Sequence, residues 1–383
     1  MTLFIGIVLL VIPIAYYMVY GLTARILSKK MSTDNATYRS SFAPFVSVVI
    51  PTYNESKMIG KRIENFDIIE YQPDDFELIF VDGASTDGTP EIIEHLKAEG
   101  RPSIRLVRQA SRKGYNAAVY EGVSQAKADI VVVGEVGGMW HPNALSAAVR
   151  HFTRPSVGVV TGRSVLYNPD ESLATRLESA YRDAHDVLRF CESQIDSTPD
   201  MKGELLAFRK EIGLSLRPGE TLPDSASFDM SISYKARELG MKAILEPEAV
   251  FYEYAPKTMK ERMIVQIRRA TTFTGALWRF RSMILNPKFG YFGMLITPSR
   301  LLMLIAFPWM LLIAPFAILV ETLAEPLIGL ILLGLALMCA VHRRLRYTLV
   351  AFALSQFVLA IATLRLSFRK HTQIIDTVPT ARR

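Results

Sequence analysis

Long apolar runs without charged residues lie near both ends of the chain. The first covers residues 3–22, and three more lie at about 301–320, 326–341 and 349–364. A helix needs about 20 apolar residues to cross the roughly 30 Å hydrocarbon core of a bilayer. The pattern predicts an N-terminal transmembrane helix over 1–24 and two or three more over 297–366, of which the middle one is short. Three prolines (Pro298, Pro308 and Pro315) predict irregularity in the first C-terminal run.

Between these ends, short β-branched apolar runs alternate with helical patterns. Five runs predict buried strands at 46–50, 78–81, 104–107, 130–133 and 157–161, and helical periodicity lies between them over 58–69, 90–99 and 116–128. This alternation predicts an α/β domain over residues 46–256, with a Rossmann-like, mainly parallel mixed sheet flanked by helices. Such sheets bind ligands at the carboxyl ends of their strands, so chemistry is expected in the loops that follow the runs.

The chain is basic, with 44 lysines and arginines against 37 acidic residues and a formal net charge of +7. A basic chain binds nucleic acid or an anionic membrane surface. Here the cations crowd beside the apolar runs, which favours the membrane, and no nucleic-acid partner is expected. Arg25, Lys29 and Lys30 directly follow the first run. They predict an integral membrane protein with its α/β domain on the cytoplasmic side.

The remaining segments are assigned by composition. Residues 25–45 are predicted to be a linker, and 257–296 to form amphipathic helices at the membrane surface. A helix packed on the domain is the alternative for this second segment. Residues 367–383 form a basic tail. Three C-terminal crossings would place that tail outside, against the distribution of positive charge, so the number of crossings stays open.

Two polar motifs follow the first two predicted strands. The first is Pro51-Thr52-Tyr53-Asn54-Glu55, and the second runs from Asp82 to Thr89. Each places a carboxylate in a tight polar turn at the end of a buried strand. Asp82 is suited to accept hydrogen bonds from a ribose or a base, although either motif taken singly favours an ordinary turn.

Together, and at this spacing, the two motifs closely resemble the opening signature of the inverting family 2 glycosyltransferases with a GT-A fold. The resemblance implies a nucleotide-sugar donor bound by Pro51, Thr52, Tyr53, Glu55 and Asp82. It continues through the segment Arg112-Lys113-Gly114-Tyr115-Asn116, which is similar to the family's basic segment after the third strand. Arg112 or Lys113 is therefore expected at the donor diphosphate.

The next motif departs from the family pattern. Where the family has Asp-x-Asp, this chain has Glu135-Val136-Gly137. Mg²⁺ and Mn²⁺ prefer oxygen ligands, so the replacement of the second acid by glycine weakens a metal site. A divalent cation held by Glu135 is one expectation, and contact between Glu135 and the donor sugar is the other.

The family's acidic pair, which opens a helix that ends in glycine, corresponds to residues 223–240. Counted back from Gly240, the family's catalytic base falls on Asp229, and Asp224 is the second candidate. Displacement at an anomeric carbon needs a carboxylate near the acceptor hydroxyl to take its proton. Helix capping by Asp229 is the structural alternative. Gly203, in a segment that resembles the family's acceptor side, and Asp224 are expected near the acceptor.

The last motif, Gln266-Ile267-Arg268-Arg269-Ala270, resembles the family's Gln-x-x-Arg-Trp without its tryptophan. The resemblance implies that Gln266 and Arg269 contact the donor diphosphate. Residues 246–256 resemble the edge strand that precedes this motif.

These features suggest a membrane-bound hexosyl- or N-acetylhexosaminyl-transferase, which adds one sugar to a lipid-linked or membrane-proximal acceptor in cell-envelope polysaccharide or glycolipid synthesis. Two alternatives stay open: a processive polysaccharide synthase and a catalytically inactive, nucleotide-binding membrane scaffold.

Overall fold

The computed structural model describes residues 1–31, 42–99, 104–324 and 343–367. Its centre is an eight-stranded mixed sheet with the order β3-β2-β1-β4-β7-β6-β8-β5. The strands are β1 (Val46–Thr52), β2 (Phe76–Asp82), β3 (Ile104–Arg108), β4 (Ile130–Val133), β5 (Met139–Trp140), β6 (Val157–Leu166), β7 (Leu206–Arg209) and β8 (Lys242–Glu253). The five predicted strands are all present, and the α/β fold class is confirmed.

The first four strands form the parallel part of the sheet. β1 pairs in parallel with β2 on one side and β4 on the other, and β2 pairs in parallel with β3. Every residue of β2 and β4 is buried, because helices cover both faces. This explains why the strands read as continuous apolar runs. Their carboxyl ends share one edge of the sheet, and the predicted donor motifs begin there.

The soluble helices connect and cover these strands. They are α2 (Ile59–Asp67), α3 (Thr89–Ala98), α4 (Tyr115–Gln125), α5 (Ala144–Val149), α6 (Leu173–Ile195), α7 (Lys210–Leu214), α8 (Phe228–Glu238) and α9 (Met259–Arg279). Helix α9 buries one side against the domain, while Ile264 and Trp278 are more than half exposed. The position of this helix at a membrane surface stays a prediction.

Within the part of the chain that the structure describes, three helices are long and apolar enough to cross a membrane: Thr2–Met31, Phe292–Val320 and Arg346–Ser367. Their helical elements include α1 (Thr2–Met31), α10 (Thr297–Leu301), α11 (Phe307–Ala324) and α12 (Arg343–Ser367). The predicted irregularity is present, because π-helical turns cover Phe292–Ile296 and Leu302–Ala306, just before Pro298 and Pro308. The predicted run at 326–341 lies outside the described residues.

The structure corrects three boundaries or placements. Helix α1 continues to Met31, so residues 25–31 are helical rather than linker; residues 32–41 lie outside the described ranges. The apolar helix predicted from residue 297 begins at Phe292. The strand predicted at the edge is β8, which lies between β6 and β5 and pairs with both. The actual edge on that side is the short β5, which sequence periodicity did not reveal.

Candidate active site

The loops after β1 and β2 are joined by hydrogen bonds between their side chains and backbones. Ser85 Oγ accepts from the Asn54 backbone N–H at 2.9 Å, and Asn54 Oδ1 accepts from the Thr86 N–H at 2.9 Å. Asn54 and Ala84 have positive φ angles of 53° and 62°. Left-handed backbone in residues other than glycine is costly and is common at binding sites. The two predicted nucleotide motifs therefore form one rigid surface.

Thr52 and Asp82 are paired residues at the carboxyl ends of β1 and β2. Both are buried. The Asp82 carboxylate accepts hydrogen bonds from the Ser85 N–H at 3.0 Å and from the Ser85 hydroxyl at 2.5 Å. These bonds fix its orientation, while an ionised carboxylate still has lone pairs for a ligand. Buried Glu55 follows two residues after Tyr53, and its N–H donates to Thr89 Oγ1 at 2.8 Å.

The predicted basic segment meets the first motif directly. The Arg112 guanidinium lies 3.6 Å from the centre of the Tyr53 ring, which is a cation–π contact. Lys113 is exposed next to it. The β3–α4 loop therefore brings two cations to the edge where Pro51, Thr52 and Asp82 lie.

Glu135 lies close to Gly203 and Tyr115. A Cβ added to Gly203 would be 2.5 Å from Tyr115 Oη and 3.3 Å from Glu135 Oε1. A side chain at position 203 would therefore collide with the tyrosine, so glycine is needed for this close approach. Tyr115 Oη is buried and has no hydrogen-bond partner in the described residues. Burial, reinforced by Glu135 and Asp229, raises the pKa of Tyr115 well above its usual value and keeps the hydroxyl a donor.

Asp229 is the second residue of α8 and points a carboxylate into the same cluster. Its Oδ1 is buried and accepts no hydrogen bond from any described residue. Burial raises the pKa of Asp229, and the charge of Glu204 raises it further. The helix cap is Ser227, not Asp229, so the capping alternative is not what the structure shows. Asp224 is exposed in the loop before the helix.

Two adjacent arginines of α9 have different surroundings. Arg269 lies within 3.4–3.8 Å of the carboxylates of Glu178, Glu204 and Glu253. Arg268 makes no hydrogen bond or ion pair through its side chain with any residue in the described ranges, yet it is within electrostatic range of Glu135, Asp229 and Glu204. Arg268, one position before the predicted Arg269, is therefore a cation within electrostatic range of the predicted base that is open to a ligand.

Gln266 lies one helical turn before Arg269 on α9. Its amide nitrogen donates to Glu178 Oε2 at 2.9 Å, and both residues line a cavity on the membrane side of the domain. The structure thus places Gln266 with Glu178 rather than with the loops of β1 and β2.

The acids of the cluster do not form a complete metal site by themselves. No group of three or more His, Cys, Asp or Glu side chains suited to hold a metal occurs within the described ranges. Gly137 provides no ligand, and Glu204 is engaged by Arg269 at 3.4 Å. Glu135 therefore offers a single carboxylate ligand. A cation bound there would complete its coordination with oxygens of a bound diphosphate, as Mg²⁺ commonly does.

Comparison with known proteins identifies the family. Residues 47–211 match the family model "Glycosyl transferase family 2", and residues 139–366 match the model "Glycosyl transferase family group 2". The second match covers more than half of the 383-residue chain. The chain belongs to glycosyltransferase family 2. The resemblance stated from the strand-end motifs is confirmed.

A solved mannosyltransferase shares nearly the whole architecture. The mannosyltransferase PcManGT from Pyrobaculum calidifontis, in complex with GDP-Man and Mn²⁺, matches with a TM-score of 0.80 and 27% sequence identity. The match covers 97% of this chain and 100% of that chain. It confirms the GT-A fold and its combination with apolar helices.

Curated relatives match over shorter segments. The beta-monoglucosyldiacylglycerol synthase of Synechocystis sp. is 29% identical over 139 residues, 36% of this chain and 29% of the relative. The dolichol-phosphate mannosyltransferase of Pyrococcus furiosus is 26% identical over 175 residues, 45% of this chain and 49% of the relative. The chain thus spans less than half the length of each.

Three residues of the family 2 site were not singled out by sequence: Tyr115, Glu204 and Arg268. Arg268 lies beside Arg269, and Tyr115 lies two residues after Lys113 within the predicted basic segment, which was the available signal. Glu204 follows Gly203, and its backbone oxygen accepts from Trp140 Nε1 at 2.8 Å, which anchors this turn against β5.

Proposed function

We propose that this chain is a membrane-bound inverting glycosyltransferase that moves one sugar from a nucleotide-sugar donor to a hydroxyl of a membrane-proximal acceptor. The observation that carries this proposal is one carboxylate oxygen of the partly exposed Asp229: its Oδ1 is buried and has no hydrogen-bond partner among the described residues. A buried acceptor atom without a partner is costly unless a ligand supplies a donor. An acceptor hydroxyl would supply that donor.

The reaction is a single displacement at the anomeric carbon. The acceptor oxygen forms a bond to that carbon as the bond to the diphosphate oxygen breaks, and the bonding electron pair leaves with the diphosphate. Asp229 takes the hydroxyl proton. Its raised pKa makes it a stronger base than an exposed aspartate.

The donor is held by the edge where β1, β2 and the basic segment meet. In this proposal Thr52, Tyr53, Glu55 and Asp82 bind the nucleoside, and Arg112 and Lys113 bind the diphosphate. Arg268 offsets the charge that develops on the leaving group; in support, its guanidinium makes no ion pair with the described residues and lies within electrostatic range of Asp229.

A divalent cation, as in the Pyrobaculum complex, would be held here by Glu135 together with donor oxygens. It would add positive charge at the diphosphate. The three long apolar helices support an acceptor in or near the membrane. The basic residues in the last turn of α1, Lys29 and Lys30, support a cytoplasmic active site.

The test is a donor screen with purified full-length protein in lipid vesicles. GDP-mannose and UDP-hexoses would be supplied with and without Mg²⁺ or Mn²⁺, and both hydrolysis and transfer would be measured. The proposal expects one donor to be consumed and a single sugar added to lipid. A long polymer would indicate a processive synthase, and donor binding without any turnover would indicate a scaffold; either result contradicts the proposal.

A further inference from the structure

A cavity of about 260 Å³ lies between the soluble domain and the apolar helices. Its walls come from α6 and α9 on the domain side and from α12 on the membrane side. Tyr181, Phe273, Ala351, Phe352 and Leu359 are among the lining residues. Sites for drug-sized ligands measure roughly 300–1,000 Å³, so this cavity suits the headgroup of a lipid rather than a whole lipid.

The cavity contains buried acceptor atoms that have no partner. Gln266 Oε1, Gln356 Oε1 and Asp200 Oδ1 are buried without a hydrogen bond from the described protein. Their side chains are only 7%, 4% and 3% exposed. The Gln266 nitrogen already donates to Glu178, so its oxygen cannot be exchanged for a donor by turning the amide. Buried acceptors of this kind call for a ligand that brings N–H or O–H groups.

The charges that line the cavity are mostly neutralised by other protein groups. Arg300 is paired with Glu192 at 2.6 Å, and Arg269 lies among three carboxylates. Burial lowers the pKa of His185 to about 4, so this ring is neutral at pH 7. Lys202 makes no ion pair or side-chain hydrogen bond with the described residues, and is available to donate to a ligand oxygen. A phosphate would bring further hydrogen-bond acceptors into a cavity in which protein acceptor oxygens already lack donors.

The cavity and the proposed reaction centre share their dividing wall. Lys202 lines the cavity, and the next residue, Gly203, touches the space beside Glu135. Met230 lines the cavity and directly follows Asp229. Arg269 lines the cavity and reaches Glu204 at 3.4 Å. The residues that line the cavity are therefore adjacent in sequence to Gly203 and to Asp229, the proposed base.

We infer that this cavity binds the uncharged, hydroxyl-bearing headgroup of a membrane lipid, which is the acceptor, with its chain leaving along α12. This inference rests on the proposed function, whose acceptor it specifies. Asp200, Gln266 and Gln356 accept from the headgroup hydroxyls, and Lys202 donates. The occupant is a neutral lipid such as a monohexosyl diacylglycerol, not a polyprenyl phosphate.

The test fills the cavity from α12. Ala351 is 2% exposed and lines the cavity, whereas its neighbour Val350 is 42% exposed on the outer face. Overpacking costs about 1–3 kcal/mol, which corresponds to about 5- to 150-fold in affinity. Ala351→Phe should weaken binding of monohexosyl diacylglycerol by that factor, measured by native mass spectrometry, and reduce transfer to it equally. Val350→Phe should leave both unchanged.

A second variant tests whether a loss of lipid binding arises from misfolding. Gln356→Leu removes an acceptor that lacks a partner, so the protein should remain folded while its affinity for the neutral lipid falls. Donor hydrolysis without acceptor should stay within about twofold of wild type in every variant, because no donor contact changes.

The outcomes separate this inference from the proposed function. Tighter binding or faster transfer with polyprenyl phosphate than with the neutral lipid overturns the inference. Unchanged lipid binding in both Ala351→Phe and Gln356→Leu also overturns it. A wild-type protein that binds the neutral lipid in a cavity-dependent way but consumes no donor supports the cavity and contradicts the proposed function.

Discussion

The side-chain oxygen of Asn116 accepts a hydrogen bond from the backbone N–H of Phe228 at 3.0 Å. The Asn116 nitrogen donates to the carbonyl of Ala226 at 2.9 Å. One buried amide therefore holds the turn that precedes Asp229 and fixes it to the start of α4, directly after the basic segment. Asn116 is a positioning residue, since it sets where the proposed base lies relative to the donor diphosphate.

Replacement of Asn116 by alanine should lower kcat for transfer by about 10- to 100-fold, because a shift near 1 Å at a reacting group has an effect of that size. The donor Kd should change by less than about twofold. The matched control is Asn168→Ala, because buried Asn168 bridges the backbone of Ala255 through both amide atoms in the same way. Equal losses of kcat in the two variants would show that general destabilisation, not positioning, is responsible.

Substitution of Arg268 should affect diphosphate binding, and substitution of Arg269 should affect thermal stability. Arg268→Ala should weaken nucleoside diphosphate binding by about tenfold or more, the worth of a charge-assisted contact, with little change in Tm. Arg269→Ala should lower Tm, because Glu178, Glu204 and Glu253 lose a common counter-ion. Calorimetric titration and thermal unfolding measure the two effects. A large loss of diphosphate affinity in Arg269→Ala alone, at unchanged Tm, would reverse the assignment.

The raised pKa of Asp229 predicts the pH dependence of transfer. A base must be ionised, so kcat should fall as pH drops through a pKa above the ordinary aspartate value of 3.8. Burial is the largest cause of this rise in pKa, and the charge of Glu204 adds to it, whereas a hydrogen bond from Ser227 opposes it. Glu204→Gln should therefore move the acid limb to lower pH. An acid limb that does not move in this variant would exclude Asp229 and Glu204 as neighbours in one electrostatic cluster.

The parallel half of the sheet was predictable because its strands are buried on both faces and are continuous apolar runs. The loops after β1 and β2 were predictable for a related reason: the carboxyl ends of adjacent parallel strands meet at one edge. Strand β5 has only two residues, Met139 and Trp140, and carries no periodicity. Helix α1 extends to Met31 because charged residues after an apolar run do not interrupt a helix.

The centre of the site was only partly predictable, because it is built from distant segments. Tyr115, at the start of α4, and the loop residues Glu135 and Gly203 come from three distant segments of the chain. Nothing in the local sequence around each of these residues predicts that they lie close together. Arg268 and Arg269 leave helix α9 in directions that differ by about 100°, because they are neighbours in the sequence. Only the packing of α9 shows which of the two guanidinium groups is ion-paired. The aspartate at position 229 was found through family resemblance, whereas its burial and its unpartnered oxygen needed the structure.

The most direct measurement is transfer and stability of Asp229→Asn against Asp224→Asn, with the donor found in the screen. Asp229→Asn should reduce transfer by about 10²- to 10⁴-fold, the usual size of a lost general base, while nucleotide binding is retained. Its Tm should be equal or higher at pH 7. An acid whose pKa is raised on folding binds its proton more tightly in the folded state than in the unfolded state. At a pH above that pKa, the ionised Asp229 carboxylate therefore destabilises the folded protein. Asp224→Asn, at an exposed position, should transfer as wild type. Near-normal transfer by Asp229→Asn would contradict the account.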